Sequence, residues 1–246
     1  MHSPKLRGVL LDIEGTTSSI QFVYEVMFPF ARRELARYLA EQWGADELQA
    51  ACEQIAKDAG YACFKTWCET TRAASDETAR QLVREEALRL MDADMKTIGL
   101  KALQGLIWRS GFETGEMKAH VFDDVPPALE RWKQNNVDVR IYSSGSIAAQ
   151  KLFFRHTIAG DLLPLVKGHY DTTTGPKQQA DSYQRIAADF GLPARDVLFI
   201  SDVSAELDAA RSAGTQTALC RRPGNADVAA DHGHPEITTF LAARCV

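Results

Sequence analysis

The strongest constraint on the fold is the alternation of short apolar runs with helical segments in the part of the chain after Val121. The apolar runs cover residues 137–142, 162–166 and 197–200, and the helical segments cover residues 147–156 and 180–190. Such alternation is typical of a parallel sheet with helices on both faces. An earlier apolar run at residues 9–11 belongs to the same sheet. We therefore predict an α/β fold with a doubly wound, mostly parallel, Rossmann-like sheet.

The stretch between the first strand and residue 119 carries a helical pattern and almost no strand pattern. Apolar residues recur every three or four positions between Val23 and Leu39, as they do on one face of a helix. Ser75, followed by two acidic residues, is a predicted N-cap. Further helices are predicted at residues 45–59, 76–93 and 99–109.

This pattern predicts two domains. The first is an α/β core made of residues 1–19 and 119–246, and the second is a helical cap made of residues 20–118. Ligands of open α/β sheets bind beyond the carboxyl ends of the strands. Because the helical segment follows the first strand directly, we expect it to cover that site.

Composition excludes several classes of partner. The chain has 246 residues, with 28 Lys and Arg against 33 Asp and Glu and a formal net charge of -5. Without a dense basic run, neither nucleic acid nor an anionic membrane surface is expected as a partner. No apolar stretch approaches the ~20 residues of a membrane helix, and no long heptad run is present, so we expect a monomer.

The cysteines indicate a reducing environment. They are odd in number and include no C-x-x-C pair, which favours free thiols in a cytoplasmic protein over a disulfide framework or a zinc site. Their positions are Cys52, Cys63, Cys68, Cys220 and Cys245.

Two carboxylates, Asp12 and Glu14, follow the first apolar strand and precede Gly15 and two threonines. Residues two apart on an extended strand point to the same side. Two such anions repel by roughly 4 kcal/mol at about 4 Å if the effective dielectric constant is about 20, so a divalent cation is expected between them. The turn at Gly15 is also expected to free backbone N–H groups for an anion. Taken alone, the pair is equally compatible with ordinary turn chemistry.

Further polar groups follow the other predicted strands. Ser143 and Ser144 open a Ser-Ser-Gly-Ser loop that could hold a phosphate, and Asp202 ends another strand with Glu206 one helical turn later. Lys177 precedes the helix at residues 180–190 and could bring a cation to the same edge. Each of these groups alone is more typical of a helix cap or a solvated side chain. Each group lies at the carboxyl end of a predicted strand or at the start of the following helix, and this common placement favours a single phosphate site.

The order Asp12-x-Glu14-Gly-Thr, Ser143-Ser144, Lys177 and Ser201-Asp202-x-x-x-Glu206 resembles the haloacid dehalogenase superfamily of phosphohydrolases over the whole chain. Most phosphatases of that superfamily have Asp-x-Asp in the first motif. The form Asp-x-Glu-Gly-Thr-Thr is similar to the enolase-phosphatase family of methionine salvage. The stretches at residues 103–108, 111–116 and 141–150 are also similar to that family. Small departures occur at Phe112 and Asp123, outside the expected phosphate site.

The resemblance implies a role for each residue. Asp12 would be the nucleophile that forms an aspartyl-phosphate, and Glu14 would be the general acid and base. One Mg²⁺ per chain would be held by Asp12, by Glu14 through its backbone carbonyl, and by Asp202. Ser143, Ser144 and Lys177 would bind the phosphoryl oxygens, and Glu206 would orient Lys177 or a metal-bound water.

The resemblance also implies a double reaction on a small phosphate ester. The chain would enolise 2,3-diketo-5-methylthiopentyl-1-phosphate and then remove phosphate, giving the acireductone 1,2-dihydroxy-3-keto-5-methylthiopentene. Trp67, Trp108 and Phe112 are candidates for contact with the methylthio group, or they form the core of the helical segment itself. The alternative function is a Mg²⁺-dependent phosphatase of the same superfamily that acts on another small phosphate ester. Such an enzyme normally carries Asp at position 14.

Overall fold

The computed structural model describes residues 6–243, which form two compact units. One unit contains residues 6–24 and 118–243, and the other contains residues 25–117. The four cysteines within the described range form no disulfide, and Cys245 lies outside that range. In residues 6–243, no helix combines the length and the apolar character needed to cross a membrane.

The first unit is built on a six-stranded sheet in the order β3-β2-β1-β4-β5-β6, and every described strand pair is parallel. The strands are β1 Gly8–Leu11, β2 Asp138–Tyr142, β3 Gly168–Tyr170, β4 Val197–Ser201, β5 Gln216–Cys220 and β6 Glu236–Ile237. Leu11 at the end of β1 pairs with Ile141 of β2 and with Ile200 of β4. The residues that follow these three strands therefore emerge at one edge of the sheet.

The second unit consists of helices, as the apolar periodicity predicts. They are α1 Phe28–Glu41, α2 Asp46–Asp58, α3 Phe64–Thr71, α4 Asp76–Asp92 and α5 Ile98–Glu113. A short π-helix, Phe22–Met27, precedes α1. The Ser75 N-cap is confirmed, because its hydroxyl accepts the N–H of Thr78 at 3.2 Å and forms a capping box. Helix α3 was not predicted from the sequence.

The aromatic candidates in this unit differ in their surroundings. The ring of Trp67 is buried and stacks on Tyr61 within the unit. The indole N–H of Trp108 donates to the carbonyl of Met27 at 2.8 Å. Phe112 is only 3% exposed. The alternative that Trp67 belongs to the core of the helical segment is therefore the one that its packing favours.

Four helices flank the sheet of the first unit, namely α6 Val125–Gln134, α7 Ile147–Arg155, α8 Ala180–Phe190 and α9 Ser204–Ser212. Helix α8 presents Tyr183, Ile186 and Phe190 to a core that also contains Phe199 of β4. Gly191 follows its last residue and caps the helix with a φ of +64°, a backbone conformation that residues with a Cβ rarely adopt. This core holds α8, and the loop before it, against the sheet.

The predicted apolar strand at residues 162–166 is wrong. Leu163–Leu165 forms a 3₁₀-helix, and the neighbouring strand is β3, a few residues later. Pro164 explains the difference, since proline has no N–H to donate to a strand ladder. Strand β3 forms although its sequence is Gly-His-Tyr, because its backbone pairs with β2. Strands β5 and β6 were not predicted either.

Candidate active site

Asp12 follows β1, and its side chain is almost fully buried. Its Oδ1 accepts the N–H of Ile13 at 2.8 Å and lies 2.8 Å from Nζ of Lys177. Among residues 6–243, the hydrogen-bond partner of Oδ2 is the hydroxyl of Ser201 at 3.4 Å, and that hydroxyl lies closer, at 3.1 Å, to Oε2 of Glu206. A carboxylate has about four lone-pair sites. Asp12 is therefore anchored through Oδ1, while Oδ2 is the less occupied oxygen.

The turn after Asp12 is closed by the carbonyl of Ile13. The N–H groups of Thr16, Thr17 and Ser18 all donate to it, at 3.2, 3.0 and 2.9 Å. These three donors are therefore engaged within the turn and are not directed at an anion. That the turn presents other backbone N–H groups to an anion stays a prediction. The turn instead has the compactness of a helical turn, and it carries the half-buried Glu14.

Gly15 is required at its position for two reasons. Its φ is +66°, a region that side chains rarely adopt. A Cβ at this position would also lie 2.2 Å from Oδ2 of Asp202. The turn after β1 and the carboxylate after β4 are thus packed directly against each other.

Lys177 lies between two carboxylates. Its Nζ is 2.8 Å from Oδ1 of Asp12 and 2.7 Å from Oε2 of Glu206, and its side chain is 10% exposed. Burial alone would lower the pKa of Lys177, but the charges of Asp12 and Glu206 outweigh it and raise the pKa above the ordinary value. Lys177 is therefore a permanent cation. Glu206, predicted to orient this lysine, is in contact with it.

The loop that carries Lys177 is held by three buried hydroxyl groups that the sequence did not reveal. Tyr142, Ser182 and Tyr183 donate to the carbonyls of Gly175, Pro176 and Lys177 at 2.7, 2.8 and 2.7 Å. Three consecutive carbonyls of the loop thus receive side-chain donors. In the sequence, the one indication of these contacts is that Tyr142 belongs to a predicted strand and Tyr183 to a predicted helix of the core.

Two carboxyl groups at the site have raised pKa values. Burial raises the pKa of Asp202 to about 7, and the charge of Asp12 adds to the effect. Burial and the charge of Asp12 also raise the pKa of Glu206 to about 7, against the opposing charge of Lys177. Within residues 6–243, no basic side chain forms an ion pair with Asp202. Three carboxyl groups therefore lie around a single ammonium, and the site carries uncompensated negative charge when all three are ionised.

This charge excess fits a divalent cation bound by oxygen atoms. In the described part of the chain, no three His, Cys, Asp or Glu side chains are grouped as a complete metal site. The expected ligand set is consistent with this finding, because it contains only two side chains, those of Asp12 and Asp202, and the third ligand is the backbone carbonyl of Glu14. The residues present therefore fit Mg²⁺, which keeps several of its own waters.

Ser143 and Ser144 follow β2, the strand next to β1. Ser143 is buried and its hydroxyl accepts the N–H of Gly145 at 3.3 Å, whereas Ser144 is exposed. Gln150, which was not predicted as a site residue, donates through Nε2 to the carbonyls of Gly145 and Tyr170, both at 2.8 Å. It ties the serine loop to the end of β3.

The fold and these strand-end residues define a class of hydrolase. A sequence model of the haloacid dehalogenase-like hydrolase family matches residues 6–214. A protein of Sorangium cellulosum named enolase-phosphatase E1 is 48% identical over 221 residues, which cover 89% of this chain and 90% of that protein. The enolase-phosphatase E1 of Pseudomonas aeruginosa is 44% identical over 238 residues, 96% of each chain. The chain therefore belongs to the enolase-phosphatase E1 family of haloacid dehalogenase-like hydrolases.

A solved structure agrees with this assignment. The crystal structure of the UTR4 protein of Saccharomyces cerevisiae superimposes with a TM-score of 0.78 at 32% identity, covering 96% of this chain and 99% of that one. The predicted fold class and the predicted family are both confirmed.

Proposed function

We propose that this chain enolises 2,3-diketo-5-methylthiopentyl-1-phosphate and then releases phosphate from it, giving the acireductone of methionine salvage. The observation that carries the proposal is the ammonium of Lys177, 2.8 Å from Oδ1 of Asp12 at the carboxyl end of β1. The ammonium offsets the negative charge of the buried Asp12 carboxylate, which would otherwise repel the anionic phosphate ester that it attacks. Glu at position 14 and the names of the relatives point to the enolase-phosphatase reaction within that class.

Phosphate removal proceeds in two steps on Asp12. An oxygen of Asp12 attacks phosphorus, the bond from phosphorus to the ester oxygen breaks, and Glu14 gives its proton to the departing oxygen. Glu14 then takes a proton from water as that water attacks the aspartyl-phosphate. Inorganic phosphate leaves, and the carboxylate of Asp12 and the acid form of Glu14 are regenerated.

The remaining residues bind and orient the phosphoryl group. Lys177, Ser143 and Ser144 donate hydrogen bonds to its oxygens, and Glu206 keeps the lysine in position. Asp12, Asp202 and the backbone carbonyl of Glu14 hold Mg²⁺. When bound, Mg²⁺ neutralises charge on the phosphoryl oxygens and polarises the substrate oxygens toward an enolate.

An anaerobic assay tests the proposal by following enediol absorbance and phosphate release together. The diketo phosphate should be converted much faster than a panel of ordinary phosphate esters. Asp12→Asn, with an unchanged circular dichroism spectrum, should release phosphate at least about 10³-fold more slowly, because the amide is not a nucleophile. Equal turnover of the ester panel would instead support the general phosphatase. Size-exclusion chromatography of the same sample tests the expected monomer.

A further inference from the structure

Asn225 lies in the loop after β5 and was not among the predicted site residues. Its Nδ2 donates to the carbonyl of Gly15 at 2.9 Å and to the carbonyl of Cys220 at 3.1 Å. Carbonyl oxygens only accept hydrogen bonds, so the amide nitrogen must face both of them. The orientation of the amide is thereby determined, and Oδ1 points away from these two partners.

This oxygen has no hydrogen-bond partner among residues 6–243, although it is buried. Buried polar atoms in proteins almost always have a partner, and an amide oxygen can accept two hydrogen bonds. An orphaned acceptor beside a candidate metal site therefore calls for a donor that the protein itself does not supply.

The position of the oxygen indicates what that donor is. Oδ1 of Asn225 lies 3.0 Å from the point that a Cβ of Gly15 would occupy, and Oδ2 of Asp202 lies 2.2 Å from the same point. The two oxygens thus lie close to each other, packed against Gly15. Both are acceptors, so a group with several donor hydrogens would satisfy them together.

We propose that Oδ1 of Asn225 accepts a hydrogen bond from a water in the hydration shell of the divalent cation. This inference rests on the Mg²⁺ site of the proposed function. Mg²⁺ gives up its waters reluctantly, and acceptors beyond the direct ligands orient those waters and strengthen metal binding. Asn225 is thus a positioning residue. Its amide holds the turn that presents the carbonyl of Glu14, and its oxygen holds the hydrated cation.

Calorimetric titration of the metal-free protein with MgCl₂, without substrate, tests this role. The variants are Asn225→Ala and Asn225→Ser. The matched control is Asn135→Ala. The amide of Asn135 also donates to a carbonyl, that of Arg131 at 2.7 Å, but it is exposed and lies directly after the end of α6. Thermal unfolding of each protein in EDTA measures the effect on the fold alone.

Both Asn225 variants should bind Mg²⁺ about 10- to 100-fold more weakly than the wild type, the range found when outer partners of metal ligands are removed. Their unfolding midpoints in EDTA should stay within about 3 °C of the wild type. Each variant loses two hydrogen bonds, which destabilises the fold, but it also loses a buried oxygen without a partner, which offsets part of that cost. Asn135→Ala should leave Mg²⁺ affinity unchanged. A purely structural role of Asn225 would lower the midpoint without a matching loss of affinity, and that result would overturn the inference.

The same titration separates this inference from the proposed function. Asp202→Asn should abolish measurable Mg²⁺ binding. If the wild type binds Mg²⁺ and Asp202→Asn does not, while the Asn225 variants bind like the wild type, the inference on Asn225 alone is overturned. If the wild type itself binds no Mg²⁺, the metal site of the proposed function fails, and this inference fails with it.

Discussion

Replacing Lys177 with methionine would remove the one ammonium that separates two buried carboxylates. Methionine has a similar length and is apolar, so the change mainly deletes the charge. The side chains of Asp12 and Glu206 are 6% and 11% exposed, so water cannot replace the lost cation effectively. The two anions would then face each other without compensation.

Breaking a buried ion pair by removing one partner costs about 3–5 kcal/mol. Since Lys177 serves two carboxylates, we expect a loss near the upper end of this range in metal-free protein at pH 8. At about 2–4 °C per kcal/mol for a chain of this size, the unfolding midpoint should fall by about 10–20 °C.

The loss should depend on pH. Burial already raises the pKa of Glu206 to about 7, and removal of Lys177 would raise it further. A carboxyl whose folded pKa lies above its unfolded value is most favourable to folding at low pH, and this contribution is lost as the pH rises through the folded pKa. The destabilisation by Lys177→Met should therefore be large at pH 8 and much smaller at pH 5.5.

Thermal unfolding and urea unfolding in EDTA, both followed by circular dichroism at the two pH values, measure the midpoint shift and the loss of unfolding free energy. Lys151→Met, an exposed position on α7, is the control for the substitution itself. The double variant Lys177→Met with Glu206→Gln should recover most of the stability at pH 8, because one orphaned charge is gone. It should still lack phosphatase activity, because the ammonium that binds the phosphoryl group is gone.

Two results would refute this reasoning. A destabilisation below about 1 kcal/mol at pH 8, the size of an exposed ion pair, would mean that Lys177 is not a buried counter-ion. Recovery of activity in the double variant would mean that Lys177 does not bind phosphate.

Three further predictions concern the same site. Mg²⁺ affinity measured by calorimetry should fall roughly tenfold from pH 8 to pH 6, because the pKa of Asp202 is raised to about 7 and a proton then competes with the metal. Equal affinities at the two pH values would contradict this competition. Gly15→Ala should destabilise the protein by about 1–3 kcal/mol and weaken Mg²⁺ binding. Gly191→Ala is the control, because Gly191 has a similar φ of +64° but no atom near its Cβ position, so this change should lower stability alone. Unchanged Mg²⁺ affinity in Gly15→Ala would argue against the packing of Gly15 on Asp202. Tyr183→Phe removes the 2.7 Å hydrogen bond to the carbonyl of Lys177, so it should lower the free energy of unfolding in urea by about 1 kcal/mol and raise KM for the phosphate ester. An unchanged KM would show that this hydrogen bond does not position Lys177.

Much of the fold was predictable because local pattern and long-range structure agree. Strands β1 and β4 are largely apolar runs that the sheet buries, β2 alternates partly buried polar residues with buried apolar ones, and α8 has an apolar face. Strand β3 was missed because its residues have no strand pattern and only its pairing with β2 makes it a strand. The sheet edge β6 is two residues long, too short for any periodicity.

The candidate site was predictable where a residue acts through its own side-chain chemistry. Asp12 and Asp202 have the residue type and the strand-end position that a phosphate site requires, and Lys177 has the charge and a position just before a helix. Tyr183 and Asn225 donate hydrogen bonds to backbone carbonyls, which every residue has, so no sequence pattern distinguishes them. The amide of Asn225 meets Gly15 across 210 positions of the chain. Only the folded chain brings such partners together.

The residue types and their spacing specify which ionisable groups follow the strands, and in what order. Their interactions depend on the folded chain. Folding buried Asp12, inserted the ammonium of Lys177 between two carboxylates, packed Gly15 against Asp202, and turned the N–H groups after Gly15 toward the carbonyl of Ile13. The physical reason is that electrostatic energies depend on distance and on exclusion of water, and packing between distant segments determines both.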